Sequence, residues 1–298
     1  MAQILSMQSH VAFGYVGNRA AVFPLQRLGH EVTVINTVQF SNHTGYGSWT
    51  GDIMSLEHIN KIFEGLEQRG ALKDLNAVLT GYLGDAALGE ILIKWLNLIK
   101  QHNPNVIYCC DPVMGDVGRG VFVKSGVPEF FKNQALSHAH ILTPNQFEIE
   151  LLTGVQINNL EDAQKACRLL HEQGTEIVLV TSLTRADADP NTIEMLVHTT
   201  SEAYLIATPR LLMPMPINGS GDATTALFLG RYLETRDLKK SLELTAASIF
   251  EIFKATLDAK RRELALISAQ AQLVEPEINF TAINYLRHPT GATTKQTF

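Results

Sequence analysis

Six short apolar runs, rich in β-branched residues, constrain this chain more than any other feature. They span residues 2–8, 31–36, 76–81, 105–110, 140–145 and 176–182. Between them, 18–29, 55–69, 86–102, 145–153 and 160–173 carry apolar residues at helical spacing. Parallel strands need crossover connections, and each face of their sheet must be covered, so this alternation predicts an α/β protein with helices on both faces of a mostly parallel sheet. Residues 191–207 differ: two strand-like runs flank Thr200-Ser201-Glu202, which predicts a hairpin. Beyond residue 221 the chain reads as helical to about 273, and a polar tail from about 280 to 298 is expected to fray. No Pro-, Gly- or Ser-rich linker and no repeat divides the chain. A single domain over 1–298 is therefore expected, long enough to bury a large core.

Charge narrows the range of partners. The chain has 24 basic and 30 acidic residues, a net charge of −6, and no basic block. Nucleic acid is thus not an expected partner, because a phosphate backbone requires clustered positive charge. Cys109, Cys110 and Cys167 form no C-x-x-C pair, which suggests reduced thiols, and Cys109 and Cys110 are expected to be buried in a strand. The first residues lack the pattern of a signal peptide, and no segment has the length of a membrane span. A cytoplasmic protein without a membrane partner is the expectation.

Ligands of open α/β sheets bind at the carboxyl ends of the strands. Polar residues follow the strands here in series: Ser9-His10, Asn36 with the F-S-N-H-T-G-Y-G loop, Gly81-Tyr82, Asp111-Pro112, Thr143-Pro144-Asn145 and Thr181-Ser182. Each alone is an ordinary loop residue. Together they would line one edge of the sheet.

The stretch I-N-G-S-G-D-A-T-T-A-L, 217–227, adds an anion site to that edge. Gly219 and Gly221 permit close approach to the main chain, and the helix beginning near Asp222 presents unpartnered N–H groups and the positive end of its dipole. By itself Asp222 reads as an N-cap after a flexible turn. The common alternatives are missing. Gly65–Gly70 lacks the Lys-Ser/Thr of a P-loop, G-Y-G-S-W-T and G-R-G-V-F-V fail the dinucleotide pattern, and neither H-E-x-x-H nor G-x-S-x-G occurs. Phosphoryl transfer to a small alcohol does fit. It requires positioning, charge neutralisation and a carboxylate that takes the hydroxyl proton late in the transfer. The amides of Gly219, Ser220 and Gly221 would hold the transferring oxygens, and Asp222 would be the general base.

The residues that carry this pattern also carry a resemblance. S-M-Q-S-H-V-A-F-G-Y-V-G-N from residue 6, N-T-V-Q-F-S-N-H-T-G-Y-G from 36, V-L-T-G-Y-L-G-D from 78, C-D-P-V-M-G-D from 110, T-P-N-Q-F-E-I-E-L-L-T-G from 143 and N-G-S-G-D from 218 are similar to pyridoxal kinases of the ribokinase superfamily, nearest to the eukaryotic-type branch. G-x-G-D alone would identify only the superfamily. The resemblance implies a ribokinase-like three-layer sandwich with a short flexible lid loop, and ATP-dependent phosphorylation of the 5′-hydroxymethyl group of pyridoxal, pyridoxine and pyridoxamine.

The resemblance also assigns roles. Ser9, Thr44, His43 and Tyr82, with Asp222, correspond to substrate contacts. His43 is either a pocket wall or a base, and Val16 and Phe13 either complete the apolar side or belong to the core. Asp116, Thr143, Asn145, Glu148, Thr181, Ser182, Ser220 and Gly221 correspond to the ATP site. Asp111, Asp116 and Glu148 resemble residues that hold Mg2+ around the nucleotide. Asp111, Thr143 and Thr181 resemble a monovalent-cation site for K+ or Na+. On spacing alone, Asp111 is a strand-ending turn and Glu148 an exposed first-turn residue of a helix. Residues 115–123 resemble the lid, shorter than in the longest-known members and with Phe122 in place of a tyrosine, so Arg119 becomes a candidate phosphate contact. The stretch 207–216 borders adenine in this reading. A homodimer is implied, as relatives usually form one. Two alternatives stand beside the leading function: a hydroxymethylpyrimidine kinase of the same superfamily, and a non-catalytic carrier of vitamin B6.

Overall fold

The computed structural model describes residues 1–286. The strands are β1 (Gln3–Val11), β2 (Glu31–Phe40), β3 (Gly51–Ile53), β4 (Ala77–Thr80), β5 (Ile107–Cys110), β6 (Gly115–Asp116), β7 (Gly120–Val121), β8 (Ile141–Leu142), β9 (Ile177–Leu183), β10 (Thr192–His198), β11 (Ala203–Pro209) and β12 (Ile283–Asn284). The helices are α1 (Asn18–Arg27), α2 (Leu56–Gln68), α3 (Ala86–His102), α4 (Val127–Phe130), α5 (Gln146–Thr153), α6 (Leu160–Glu172), α7 (Ser220–Thr235), α8 (Leu238–Asp258) and α9 (Gln270–Val274).

One ten-stranded sheet runs in the order β12-β11-β10-β9-β8-β5-β4-β1-β2-β3. The six strands expected from the sequence, β1, β2, β4, β5, β8 and β9, pair in parallel at its centre. Antiparallel β3 closes one edge, and β10, β11 and β12 extend the other. Alternate residues face opposite layers, as the pleat requires. Leu5, Met7, Val78, Tyr108, Leu142 and Val180 pack with residues of α2–α6, whereas Ile4, Leu79, Ile107, Ile141 and Leu179 pack with residues of α1, α7, α8 and α9. Cys109 and Cys110 fall on opposite faces, and all three cysteines are buried and free. This is the three-layer α/β sandwich that the alternation predicts. Among the described residues no helix is long and apolar enough to cross a membrane.

Three differences from the sequence reading bear on the site. β1 continues to Val11, so Ser9 and His10 lie within the strand. β2 likewise continues to Phe40, because β3 pairs with Val38, Gln39 and Phe40. The loop carrying His43 and Thr44 is therefore a hairpin connection rather than a strand-to-helix crossover. The helical reading from 221 to 273 is interrupted at Arg236, with φ 52° between α7 and α8, and fails after Ala259. There Lys260 takes a left-handed φ of 51°, the Arg261 amide donates to the Thr256 carbonyl, and the Lys260 amide donates to the Leu257 carbonyl. That is a Schellman closure built without the usual glycine, so composition gave no warning of it. Part of the supposed frayed tail is ordered as well: Ile283 and Asn284 pair with β11, while residues 287–298 lie outside the described range.

Candidate active site

The carboxyl ends of the parallel strands open into a cavity of about 730 Å3. It contains Ser9, His43, Thr44, Tyr82, Asp111, Asp116, Thr143, Asn145, Glu148, Thr181, Ser182, Gly219, Ser220, Gly221 and Asp222 in its wall, every candidate site residue together. Val16 belongs to the same wall. Phe13 does not: its ring is 61% exposed and meets the edge of Tyr46, with the centroids 6.2 Å apart.

The anion cradle sits at the start of α7. Gly219 caps the helix with φ 84°, and a Cβ there would collide with the Tyr15 carbonyl oxygen, so both conformation and space require glycine. Ala223 is the first residue of the helix whose amide finds a backbone acceptor, the Gly219 carbonyl at 3.0 Å. Among the described residues the preceding amides of Ser220, Gly221 and Asp222 have no acceptor, and they point their donors toward the cavity end of the helix. Asp222 is no N-cap, since Gly219 holds that position. Burial raises the Asp222 carboxyl above the ordinary carboxylate range, and the nearby Gly17 amide works in the opposite direction. A raised carboxyl is a stronger proton acceptor than a solvated aspartate.

A second acidic group lies deeper. Asp111 and Glu148 are only 5% and 3% exposed, which removes the exposed-residue reading of Glu148. Glu148 closes the capping box of α5: its Oε2 accepts from the Asn145 amide at 2.9 Å, while the Asn145 side chain accepts from the Glu148 amide. Its Oε1 accepts from the Met114 amide at 2.9 Å. Burial nevertheless raises its carboxyl. Asp111 is raised as well, by burial and then by the charges of Glu148 and Asp222, with the Thr225 hydroxyl opposing. The Thr143 and Thr225 hydroxyls are 2.8 Å apart beside it. Buried hard-oxygen donors whose strongest charged neighbours are also acidic fit a cation held largely through phosphate and water. They do not form a protein-only metal cage: among the described residues no three His, Cys, Asp or Glu side chains are grouped to hold a metal.

The opposite wall is apolar and aromatic. Val38 and Phe40, from the unforeseen extension of β2, join Val16, Ile53, Tyr82 and Trp49. The side-chain alternation of V-Q-F was the available signal for the first two. His43 Nδ1 accepts from the Gly45 amide at 3.0 Å, which leaves Nε2 to carry the proton of the neutral ring. Burial, with Arg119 and Arg262 nearby, lowers its pKa to about 4. A neutral ring whose acceptor nitrogen is already engaged has no free lone pair with which to take a proton. Residues 115–123 form the β6–β7 hairpin, and Arg119 places its guanidinium 5.3 Å from the Phe122 ring centroid. Arg119 also acts on His43 and lies beside Gly45, so it lines the cavity next to loop 41–50.

A smaller cleft of about 190 Å3 adjoins the cradle and shares Thr181, Ser182, Ser220 and Gly221 with the large cavity. Its walls are Thr208–Leu211 at the end of β11, Ile193 and Met195 of β10, and Ile249, Phe250 and Phe253 of α8. Of the stretch 207–216 only residues 208–211 line this cleft, and α8 gave no sequence signal because its apolar residues look like those of any core-facing helix.

An α/β sandwich with an anion cradle, a raised aspartate and two apolar recesses on either side defines a small-molecule kinase of the ribokinase-like class. The family model described as phosphomethylpyrimidine kinase matches residues 29–265. Pyridoxal kinases from Rubrobacter xylanophilus and Granulibacter bethesdensis are 48% and 46% identical to the chain, covering 93% and 94% of it and 95% and 98% of their own lengths. The structure of pyridoxal kinase from Leishmania donovani in complex with ADP and pyridoxine superposes with a TM-score of 0.88 at 32% identity, over 95% of this chain and 98% of that one. The chain belongs to the pyridoxal kinase family. It is an enzyme, a phosphotransferase with an alcohol group as acceptor.

Proposed function

We propose that the chain transfers the γ-phosphoryl group of ATP to the 5′-hydroxymethyl group of pyridoxal, pyridoxine and pyridoxamine, in vitamin B6 salvage. The observation that carries this reading is the position of Asp222, where the aromatic recess and the anion cradle meet. Ser9, Thr44, His43 and Tyr82 hold the vitamer, with the Tyr82 ring against its flat face. Thr143, Asn145, Thr181, Ser182, Ser220 and Gly221 line the phosphate path, and the cleft against α8 takes adenine. As the bond from the vitamer oxygen to γ-phosphorus forms, the bond from γ-phosphorus to the bridging oxygen breaks and ADP leaves. The hydroxyl proton goes to Asp222. The free amides at the head of α7 hold the phosphoryl oxygens throughout.

Transfer of this kind runs with a divalent metal, which offsets phosphate charge when bound. Asp111, Asp116 and Glu148 would hold it, as Mg2+, through phosphate oxygens and water. Asp111, Thr143 and Thr181 would hold K+ or Na+. The family's usual homodimer and a cytoplasmic location complete the reading.

The matching family model, described as phosphomethylpyrimidine kinase, keeps a second reading in view, a hydroxymethylpyrimidine kinase on the same chemistry. ADP release measured with each B6 vitamer and with hydroxymethylpyrimidine, in potassium and in sodium, separates the two. Faster turnover of the vitamers is expected. Preference for the pyrimidine would replace the substrate assignment, and binding of vitamers without ADP release would make the chain a carrier.

A further inference from the structure

Loop 41–50 bears His43 and Thr44, yet it contributes little to either core layer. Its only regular element is a single 3-10 turn, Thr44–Tyr46. Besides bonds within the loop and from the Phe13 amide to the Ser41 carbonyl, it is held from far away in sequence, by the irregular segment after α8. The Arg262 guanidinium donates to the Gly45 carbonyl at 2.7 Å and covers the Tyr46 ring at 3.7 Å from its centroid. The Tyr46 hydroxyl donates to one oxygen of Glu263, and burial together with that carboxylate pushes the phenol up to about 12. The other oxygen of Glu263 accepts from the Tyr15 amide at 2.8 Å. Gly14 has φ 95°, and a Cβ there would overlap the Glu263 carboxylate. Tyr15 in turn presents its carbonyl to Gly219, where there is no room for a side chain.

These contacts form one continuous line: Thr44-Gly45-Tyr46, then the two oxygens of Glu263, then Gly14-Tyr15, then the Gly219 cradle. The geometry points to Glu263 as a positioning residue that fixes the vitamer-holding loop relative to the anion cradle, with Arg262 steadying the same loop from its other side. A carboxylate suits this task because both of its oxygens are acceptors and each serves a different loop. Neither Arg262 nor Glu263 lines the cavity, so Glu263 acts through the two loops and, by its charge, on His43. The inference rests on the reading that loop 41–50 contacts the vitamer.

The expected consequence is selective. Misplacing this loop weakens vitamer binding and alignment while leaving the adenine cleft, built from β10, β11 and α8, undisturbed. The test compares Glu263→Ala, Glu263→Gln, Tyr46→Phe and the Tyr46→Phe/Glu263→Ala double variant, with Thr44→Ala as a control. KM for pyridoxal and for ATP, kcat, and melting temperature are measured for each. Glu263→Ala is expected to raise pyridoxal KM about tenfold or more with ATP KM within about twofold, on the scale of a lost charge-assisted hydrogen bond. Glu263→Gln, which keeps one acceptor, is expected to recover part of that loss. The double variant is expected to lose less than the product of the single losses, since the two side chains share one bond. An unchanged pyridoxal KM in Glu263→Ala, while Thr44→Ala raises it, would overturn the positioning role and leave the site reading intact. An unchanged pyridoxal KM in Thr44→Ala would instead remove the loop from the site. Equal rises in both KM values with a lowered melting temperature would show a merely structural residue and would also overturn the inference.

Discussion

The carbonyl of Tyr15 occupies the space where a side chain on residue 219 would begin. The loop after β1 is thereby seated directly on the N-terminus of α7, where the free amides of that helix begin. Gly219→Ala meets both this overlap and a left-handed φ of 84°. Turnover is expected to fall by about a hundredfold or more, as when preorganised backbone donors are displaced. Steady-state kinetics, with circular dichroism to verify folding, checks this; near-normal turnover would show that the cradle tolerates displacement.

Asp222→Ala is expected to keep pyridoxal affinity within about tenfold and to lose about a hundredfold or more in turnover, the usual contribution of a positioned base. Equilibrium binding and single-turnover rates separate the two effects. Wild-type turnover in this variant would remove Asp222 from the chemistry.

The pH profile follows from the same carboxyl. Burial raises Asp222, and only the ionised form accepts a proton, so activity is lost as pH falls through its raised pKa. The acid limb of kcat should therefore lie above the ordinary aspartate value of about 4. His43, held near 4, is already neutral through that range and should add no limb near 6.5. A His43→Gln variant with an unchanged profile supports this assignment. Disappearance of the limb in that variant would make His43 the titrating group.

Acid stability should depend on a histidine pair remote from the site. His171 Nδ1 lies 2.7 Å from the Thr175 carbonyl, and its Nε2 lies 2.9 Å from His198 Nδ1. The first contact places the proton on His171 Nδ1, so His198 donates from its own Nδ1 and leaves a buried, unsatisfied Nε2. Burial, then His171 and Arg168, lower the His198 pKa to about 4. Between about 6.5 and 4 the unfolded chain takes up a proton that the folded chain refuses, so stability present at neutral pH declines as pH falls through that window. His198→Leu should flatten the dependence of melting on pH by as much as one proton, roughly 1.4 kcal/mol per pH unit. An unaltered slope would rule the pair out as a contributor.

Phe253→Ala should raise ATP KM about tenfold through loss of an aromatic wall of the small cleft, with pyridoxal KM unchanged. A change confined to pyridoxal would place adenine elsewhere.

The amino-acid order determined the six parallel strands, most of the helices that cover them, the hairpin around Thr200-Ser201-Glu202, and the set of residues gathered at one sheet edge. It could do so because these depend on local periodicity and on a rule about strand ends. Only the tertiary structure decided how those residues act. Glu148 is a first-turn residue by spacing but a buried cap by packing, and His43 is titratable by type but neutral by its surroundings. The clamp from Arg262 and Glu263 spans more than two hundred residues, and it follows a helix end closed by Lys260 where no glycine announced it. Burial, charge coupling and contacts between distant segments depend on every neighbour at once, and no window along the chain contains them.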